Sequence, residues 1–349
     1  LITLFKLISI NKEKYMKKLR LAVYGIDHNH CAAKVSELKS MPDLFEICGV
    51  YCESKEAFNR RGKEKCYEDL KFMSEYELFS LKDLDFILVE PAVPNLVKFA
   101  KVCIDKGYHI HLDKPAGVNL KEFEELLNEA KNKNLIIQMG YMYRYNKAIR
   151  YVLDNVKQGK LGNIISVDCQ MSTGLDSNFK KNFLMSYGVK SPAMYIYGVH
   201  LIDLIVTVMG KPTRVIPLNK KTMIGDLDFE DSGFAILEYP NAVCTVRVNA
   251  SEVNGWERRE FVVCGEKGTI QVKPIENPTQ IIECYKNEAK SWSSCGHEVG
   301  LTSQDYRYKD QFVHLSKMIQ KIESNPYSYE HEYLVHKLTL EACGYRFDE

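Results

Sequence analysis

Over residues 19–141 the chain repeats one pattern, a short apolar run followed by helical spacing, and this repetition constrains the fold more than any other feature. LRLAVYG is an apolar run closed by Gly25, which predicts a buried parallel strand and a tight turn. AAKVSELKS then has helical spacing, FEICGVYCE predicts a second strand, and SKEAFNRRGKEK a polar helix. LDFILVEP predicts a third strand stopped by Pro91, and NLVKFAKVCIDKG a helix ended by Gly107. YHIHLDKP, LKEFEELLNEAKNKN and LIIQMGY continue as strand, helix and strand. Strands apolar on both faces need helices on both faces, so the pattern predicts an α/β fold with a doubly wound parallel sheet.

From Lys147 the grammar changes. After a helix at KAIRYVLDNVKQG come NIISVDCQMS, FAILEYP, AVCTVRVNA, REFVVCG, GTIQVKP and QIIECYKN, with turn residues such as YPNA and CGEKGT between them. These predict a C-terminal α+β domain with a mostly antiparallel open sheet. Helical insertions are expected around residues 194–209 and 305–322, and a last helix in YEHEYLVHKLTLEACGYR. At about 150 residues per domain, 349 residues make roughly two domains. The boundary is expected where the alternation stops, giving a first domain over 16–139 and a second over 140–349. LITLFKLISI is apolar but carries Lys6, follows no basic stretch and precedes no small-residue cleavage site. Residues 1–15 therefore read as an upstream extension outside the fold, with the natural start at Met16.

Composition excludes several classes. A hydrophobic fraction of 45% with 27% charged residues is the balance of a packed globular chain, not of a disordered or collagen-like one. Lys plus Arg number 47 against 46 for Asp plus Glu, a net charge of +1, so the basic footprint of a nucleic-acid partner is missing. No apolar stretch reaches the length of a membrane span, and no membrane partner is expected. The 11 cysteines form no CxxC pair and no repeated spacing, which fits a reducing, cytoplasmic location.

In an open parallel sheet, ligands sit at the carboxyl ends of the strands. The turn after the first strand, GIDHNHCA, carries Gly25, Ile26, Asp27, His28 and His30. A dinucleotide fingerprint would place glycines at 25, 27 and 30, and only Gly25 is kept. Asp27 adds negative charge where a phosphate would bind. The second strand ends in VYCES, where an acidic residue would accept the adenosine ribose hydroxyls; either Glu53 or Cys52 holds that position. The third strand ends at Pro91. In HIHLDKPAG, Asp113 and Lys114 stand at the end of an inner strand, and the lysine supplies a positioned cation beside the cleft.

At these residues the chain resembles the Gfo/Idh/MocA family, the relatives of glucose-fructose oxidoreductase and inositol dehydrogenase. The family's Glu-Lys-Pro signature reads here Asp113-Lys114-Pro115, preceded by AKVCIDKGYHIHL. MGYMYRYNKAIR is similar to its aromatic-Arg-aromatic stretch, GVHLIDLIVTVMG to its third motif and CGEKGTIQV to its late hairpin, so the resemblance spans residues 16–346. It implies that 16–139 is a Rossmann dinucleotide-binding domain and 140–349 a substrate and dimerisation domain. It implies NAD or NADP as cofactor, held by Gly25, Ile26, Asp27, His28, His30, Glu53, Pro91, Asp113 and Lys114. It further implies hydride transfer to or from a sugar, polyol or similar carbonyl compound, and a homodimer or homotetramer built through the C-terminal sheet.

The third motif of the family runs Gly-Gly-x-x-x-Asp-x-x-x-His. His200 fills its histidine position, Ile196 stands where the aspartate belongs, and Ser191 and Pro192 replace the glycines. Lys114 and His200 are thus the expected catalytic pair: the imidazole takes the hydroxyl proton as the carbinol hydrogen leaves, and the ammonium stabilises the alkoxide. Asp203, one helical turn beyond His200, is a candidate to replace the missing aspartate. Tyr143, Arg144 and Tyr197 are the expected substrate contacts, within a local run of phenols that includes Tyr141, Tyr145 and Tyr195. The eroded glycine turn and Ile196 also suit a second reading, a binding or regulatory protein that keeps the fold without turnover. A third reading comes from His28-x-His30 and His109-x-His111, since residues two apart on a strand face one way and two converging pairs would chelate a metal.

Overall fold

A computed structural model describes residues 16–276, 279–290, 292, 294–301, 304 and 306–347. The expected extension at 1–15 and the start of the helical insertion at Asp305 lie outside the described residues. The chain forms two compact units: the segment up to Gly140 together with Tyr308–Tyr329, and Tyr141–Arg307 together with Glu330–Glu349.

The first unit holds a wholly parallel sheet of β1 (Leu19–Tyr24), β2 (Phe45–Tyr51), β3 (Phe86–Val89), β4 (His109–Leu112) and β5 (Ile137–Met139), in the order β2-β1-β3-β4-β5. Beyond β2, Phe72 makes a single parallel bridge to Val50, with Val50 N donating to Lys71 O at 3.0 Å and Met73 N to Val50 O at 2.9 Å. Counting this stub as the third strand gives the dinucleotide-domain order 3-2-1-4-5-6, with the order reversing between β1 and β3. All four residues of β3 are buried, as are Leu21, Ala22 and Val23 of β1, which is why these runs read as continuous apolar stretches. The crossovers are α1 (Cys31–Lys39), α2 (Lys55–Arg61), α3 (Glu75–Ser80), α4 (Leu96–Asp105) and α5 (Leu120–Asn132). Ser74 and Glu77 close a capping box on α3, a helix too short to register as periodicity.

The second unit is built on β6 (Ile164–Ser172), β7 (Arg214–Pro217), β8 (Ser232–Tyr239), β9 (Ala242–Asn249), β10 (Glu260–Gly265), β11 (Gly268–Val272), β12 (Ile281–Tyr285) and β13 (His297–Glu298). They join in the order β13-β12-β11-β10-β6-β9-β8-β7, antiparallel throughout except for the parallel pair of β6 and β9. One face is buried by alternation, with Ala235, Leu237, Cys244, Val246, Phe261, Val263 and Ile270 inward. Helices α6 (Lys147–Lys157), α7 (Ser177–Leu184) and α8 (Val199–Met209) belong to this unit, and a π-helical turn over Met194–Gly198 leads into α8. Asn146 caps α6 by accepting from the Ala148 and Ile149 amides at 2.9 and 3.1 Å.

Two features differ from the sequence expectation. Helix α9 (Lys309–Ile319), assigned there to the second domain, belongs to the first unit. Its Phe312 ring lies 6.3 Å from Phe45 and 5.1 Å from His111. Its Gln311 donates to Met139 O at 2.9 Å and accepts at its own carbonyl from Gln138 Nε2 at 2.9 Å. The helix thus packs against the parallel sheet, reaching Phe45 of β2, His111 of β4 and Gln138 and Met139 of β5, a pairing that sequence order hides. The expected domain of 140–349 is therefore interrupted by Tyr308–Tyr329. The second difference is a disulfide between Cys284 on β12 and Cys295, while nine described cysteines are free. An odd cysteine count with irregular spacing says nothing of which thiols a hairpin brings together. No helix among the described residues is long and apolar enough to cross a membrane.

Candidate active site

In the first unit the polar side chains gather where the strand order reverses. Gly25 has φ +87°, and a Cβ there would stand 2.5 Å from Pro91 N, so the turn after β1 needs glycine both for its backbone and for the closeness of Pro91. Beyond it, Ile26 N and Asp27 N donate to the two oxygens of Glu53 at 2.9 and 3.3 Å, and Ala92 N donates to Glu53 Oε1 at 3.2 Å. The ambiguity at the end of β2 is thereby resolved: Glu53 faces the turn, and the Cys52 thiol instead donates to Ser54 O. Asp27 is held by Arg60, through Nε at 3.1 Å and Nη2 at 2.6 Å.

Below the turn lies a buried charge cluster that sequence reading found only in part. Lys34, on the inward face of α1, is fully buried, with Nζ 2.6 Å from Glu90 Oε1 and 2.5 Å from Asp113 Oδ2. His28 Nδ1 stands 3.1 Å from Asp113 Oδ2 and 3.4 Å from Glu90 Oε2, and His30 Nδ1 stands 3.0 Å from Asp113 Oδ2. Burial opposes the Lys34 and Asp113 charges, yet the opposite charges around them win: the lysine pKa is raised and the Asp113 carboxyl is held well below the carboxylate range. His28 follows the same balance and its pKa is raised by Asp113 and Glu90 against burial. His30 is driven well down, first by burial, and Glu90 is pushed up by burial. His111, buried beside the cluster, is lowered to about 3 by burial and by Lys34.

Lys114 follows this cluster at the end of β4. It is 3% exposed, and its backbone N–H donates to Asp113 Oδ1 at 2.7 Å. The two His-x-His pairs do not combine as the metal reading expected. His109 Nδ1 accepts from the Ile136 N–H at 2.9 Å, and His111 Nδ1 faces Gln138 Oε1 at 3.0 Å. The group that does come within ligand distance is His28, His30 and Asp113.

In the second unit, His200 is buried in the first turn of α8, edge-on to the Tyr143 ring at 4.9 Å and to Tyr141 at 6.3 Å. Ile196, buried at 6% exposure, puts a hydrocarbon where the family motif has its aspartate. Asp203 does not replace that aspartate. Both its oxygens take the Arg144 guanidinium at 2.6–3.1 Å, and His331 Nε2 lies 3.3 Å away. Arg144, expected against the substrate, is buried on Tyr141 at 4.4 Å and also bonds Glu332 of α10 (Tyr329–Ala342) at 2.7 and 2.9 Å. Its planar fork is thus spent on two carboxylates. Tyr143 donates to Glu276 Oε1, which also takes Arg259 Nη1 at 2.6 Å. Tyr143 and Glu276 border a cavity of about 260 Å³ with Asn146, Trp256, Tyr306 and Arg307. Tyr197 is half-buried on the π-helical turn, and burial pushes its phenol up to about 12.

The fold and these groups define the class: a nucleotide-domain α/β unit with a lysine at an inner strand end, joined in one chain to a mostly antiparallel α+β unit with a buried histidine. Residues 149–271 match the GFO/IDH/MocA C-terminal domain. The chain is 22% identical over 299 residues to dehydrogenase aclE of Aspergillus oryzae, covering 76% of this chain and 79% of that protein. It is 23% identical over 243 residues to a trans-1,2-dihydrobenzene-1,2-diol dehydrogenase of Bos taurus, covering 66% and 68%. A solved UDP-N-acetylglucosamine 3-dehydrogenase of Acidithiobacillus ferrooxidans superposes with a TM-score of 0.75 at 15% identity, over 94% of this chain and 97% of that one. Residues 149–271 thus carry a GFO/IDH/MocA C-terminal domain, and the whole chain is similar to oxidoreductases of that family.

Proposed function

We propose that the protein is an NAD(P)-dependent dehydrogenase or reductase that moves a hydride between the nicotinamide cofactor and a sugar- or polyol-like alcohol or its ketone. The observation that carries this reading is Lys114, a buried lysine at the carboxyl end of β4 whose backbone is fixed by Asp113. The residues fit the cofactor at its adenosine end, where Gly25 gives the tight turn and Glu53 offers a carboxylate already aligned by Ile26, Asp27 and Ala92. Ile26, His28, His30, Pro91 and Asp113 line the same strand ends. Bound there, the cofactor would supply the hydride acceptor. Glu53 and Asp27 both disfavour a 2′-phosphate, so the chain would take NAD in preference to NADP. Lys114 stabilises the substrate oxygen as an alkoxide, and His200 takes the hydroxyl proton. Tyr143 and Tyr197 supply hydroxyls on the substrate side, whereas Arg144 acts only by holding Asp203 and Glu332.

The less buried face of the eight-stranded sheet carries Phe234, Ile236, Val243, Val262 and Ile282 among polar residues, and we propose that two copies associate through it. The function is tested by calorimetric titration with NADH and NADPH, then turnover on a polyol and aldose panel. Lys114→Ala should lower kcat on the order of 10²–10³-fold with cofactor affinity retained. Absence of heat with either cofactor would refute the reading. Ile196 and the capture of Asp203 by Arg144 favour a second reading, a non-catalytic binding protein, and cofactor binding with no turnover on any substrate would support it.

A further inference from the structure

We propose that His28, His30 and Asp113 form a three-ligand binding site for a divalent transition-metal ion of the zinc class, with Glu90 as the neighbouring buried carboxylate. Two ligands come from the turn after β1 and one from the end of β4, with Glu90 at the end of the strand between them, so a single ion would tie together the carboxyl ends of the two strands that flank β3. The geometry is the first support. Metal bonds to imidazole nitrogen or carboxylate oxygen are about 2.0–2.1 Å, so tetrahedral ligands stand about 3.3 Å from one another. Here the separations are 3.0 Å from His30 Nδ1 to Asp113 Oδ2 and 3.1 Å from His28 Nδ1 to Asp113 Oδ2, and the three ligand atoms all lie within 4.8 Å of one another. Glu90 Oε2 is the second support: the side chain is fully buried, Lys34 takes its other oxygen, and this one has no hydrogen-bond partner. A buried carboxylate oxygen left without a donor costs stability unless a cation meets it.

The donor set is two imidazoles and one carboxylate oxygen, without sulfur and with a fourth position open, which suits zinc, cobalt or iron(II) rather than a soft ion. Lys34 leaves room in the charge balance, since one ammonium faces two carboxylates. A proton on His28 is the rival way of satisfying them, and it predicts no metal affinity. The site stands independently of the dinucleotide reading, because ion uptake needs no cofactor.

The test uses the full chain, stripped with a chelator and titrated with Co²⁺, then loaded with Zn²⁺ for X-ray absorption. One equivalent of Co²⁺ should bind with the visible bands of four-coordinate geometry and no thiolate charge-transfer band. The zinc shell should contain nitrogen and oxygen at about 2.0–2.1 Å with imidazole scattering. His30→Ala should weaken uptake by at least about tenfold, with circular dichroism checking the fold. No stoichiometric uptake, sulfur in the first shell, or unchanged affinity in a folded His30→Ala variant would each overturn the proposal. Should that variant not fold, the wild-type stoichiometry and ligand shell decide alone.

Discussion

Replacing Lys34 with methionine removes one positive charge and little else. The side chain is fully buried, so a linear apolar replacement leaves almost no cavity. What it does leave is Glu90 and Asp113, both fully buried, without the ammonium that now stands 2.6 and 2.5 Å from them. Removing one partner of a buried ion pair costs about 3–5 kcal/mol, because the remaining charge has lost its solvent and its counterion together. Both tryptophans, Trp256 and Trp292, lie in the second unit, so their fluorescence does not report on this cluster. Hydrogen exchange does. In the presence of chelator, the amides of β3 and β4 should exchange roughly 10²–10⁴-fold faster in Lys34→Met than in the native chain, a tenfold rate for every 1.4 kcal/mol. Adding Glu90→Gln deletes one of the stranded charges and should recover at least about 1 kcal/mol, a coupling that additive effects would not give. A loss below about 1 kcal/mol in the single variant, or no recovery in the double, would refute the claim that Lys34 compensates both carboxylates.

Three further outcomes follow from the same geometry. Arg144→Leu strands Asp203 and Glu332, both 1% exposed, and should destabilise the second unit by about 3–5 kcal/mol, read by tryptophan fluorescence in urea. Burial opposes the Asp203 charge but Arg144 and His331 outweigh it, so its carboxyl is held below its ordinary value. The stability this adds is fully present above the unfolded pKa of about 3.9 and is lost as pH falls through the lower folded value. Urea midpoints should thus decline below about pH 4 in the native chain, with a smaller decline in Asp203→Asn. Glu53→Ala removes the charged acceptor proposed for the adenosine ribose, worth about 1.5–3 kcal/mol, and should weaken NADH binding about 10- to 100-fold in titration calorimetry.

The parallel sheet was legible because burial on both faces writes itself as uninterrupted apolar runs, and the wet-faced second sheet because alternation does the same. What those signals do not contain is adjacency between distant segments. Helix α9 has an ordinary amphipathic pattern, with Phe312, Leu315 and Met318 inward, and nothing in that pattern says whether it covers Phe45 and His111 or a strand nearer in sequence. The strand stub at Phe72 was unreadable for the opposite reason, since one bridging residue has no period. Among the candidate residues, Gly25, Glu53, Asp113 and Lys114 of the first unit stand at or just past strand ends, and His200 of the second stands in the first turn of a helix. Arg144 and Asp203 drew attention through motifs, but their mutual pairing across 59 positions is a tertiary fact.

Lys34 is the instructive omission, because its signal was present. The buried residues of α1 are Cys31, Lys34, Val35 and Leu38, a helical stripe with a lysine inside it. An ammonium on an inward stripe is affordable only against carboxylates, and the two acids at the ends of apolar strands, Glu90 and Asp113, were the obvious partners. The same counting explains the altered turn. A glycine-rich turn leaves its amides to an outside anion, whereas here Ile26 and Asp27 donate to Glu53, and His30 N–H faces His28 Nδ1 at 3.2 Å. The turn has exchanged ligand-dependent satisfaction of its backbone for satisfaction by its own side chains. A diphosphate held there must bind through other groups, because those amides stay with Glu53, whose remaining lone pairs are left for the proposed ribose contact.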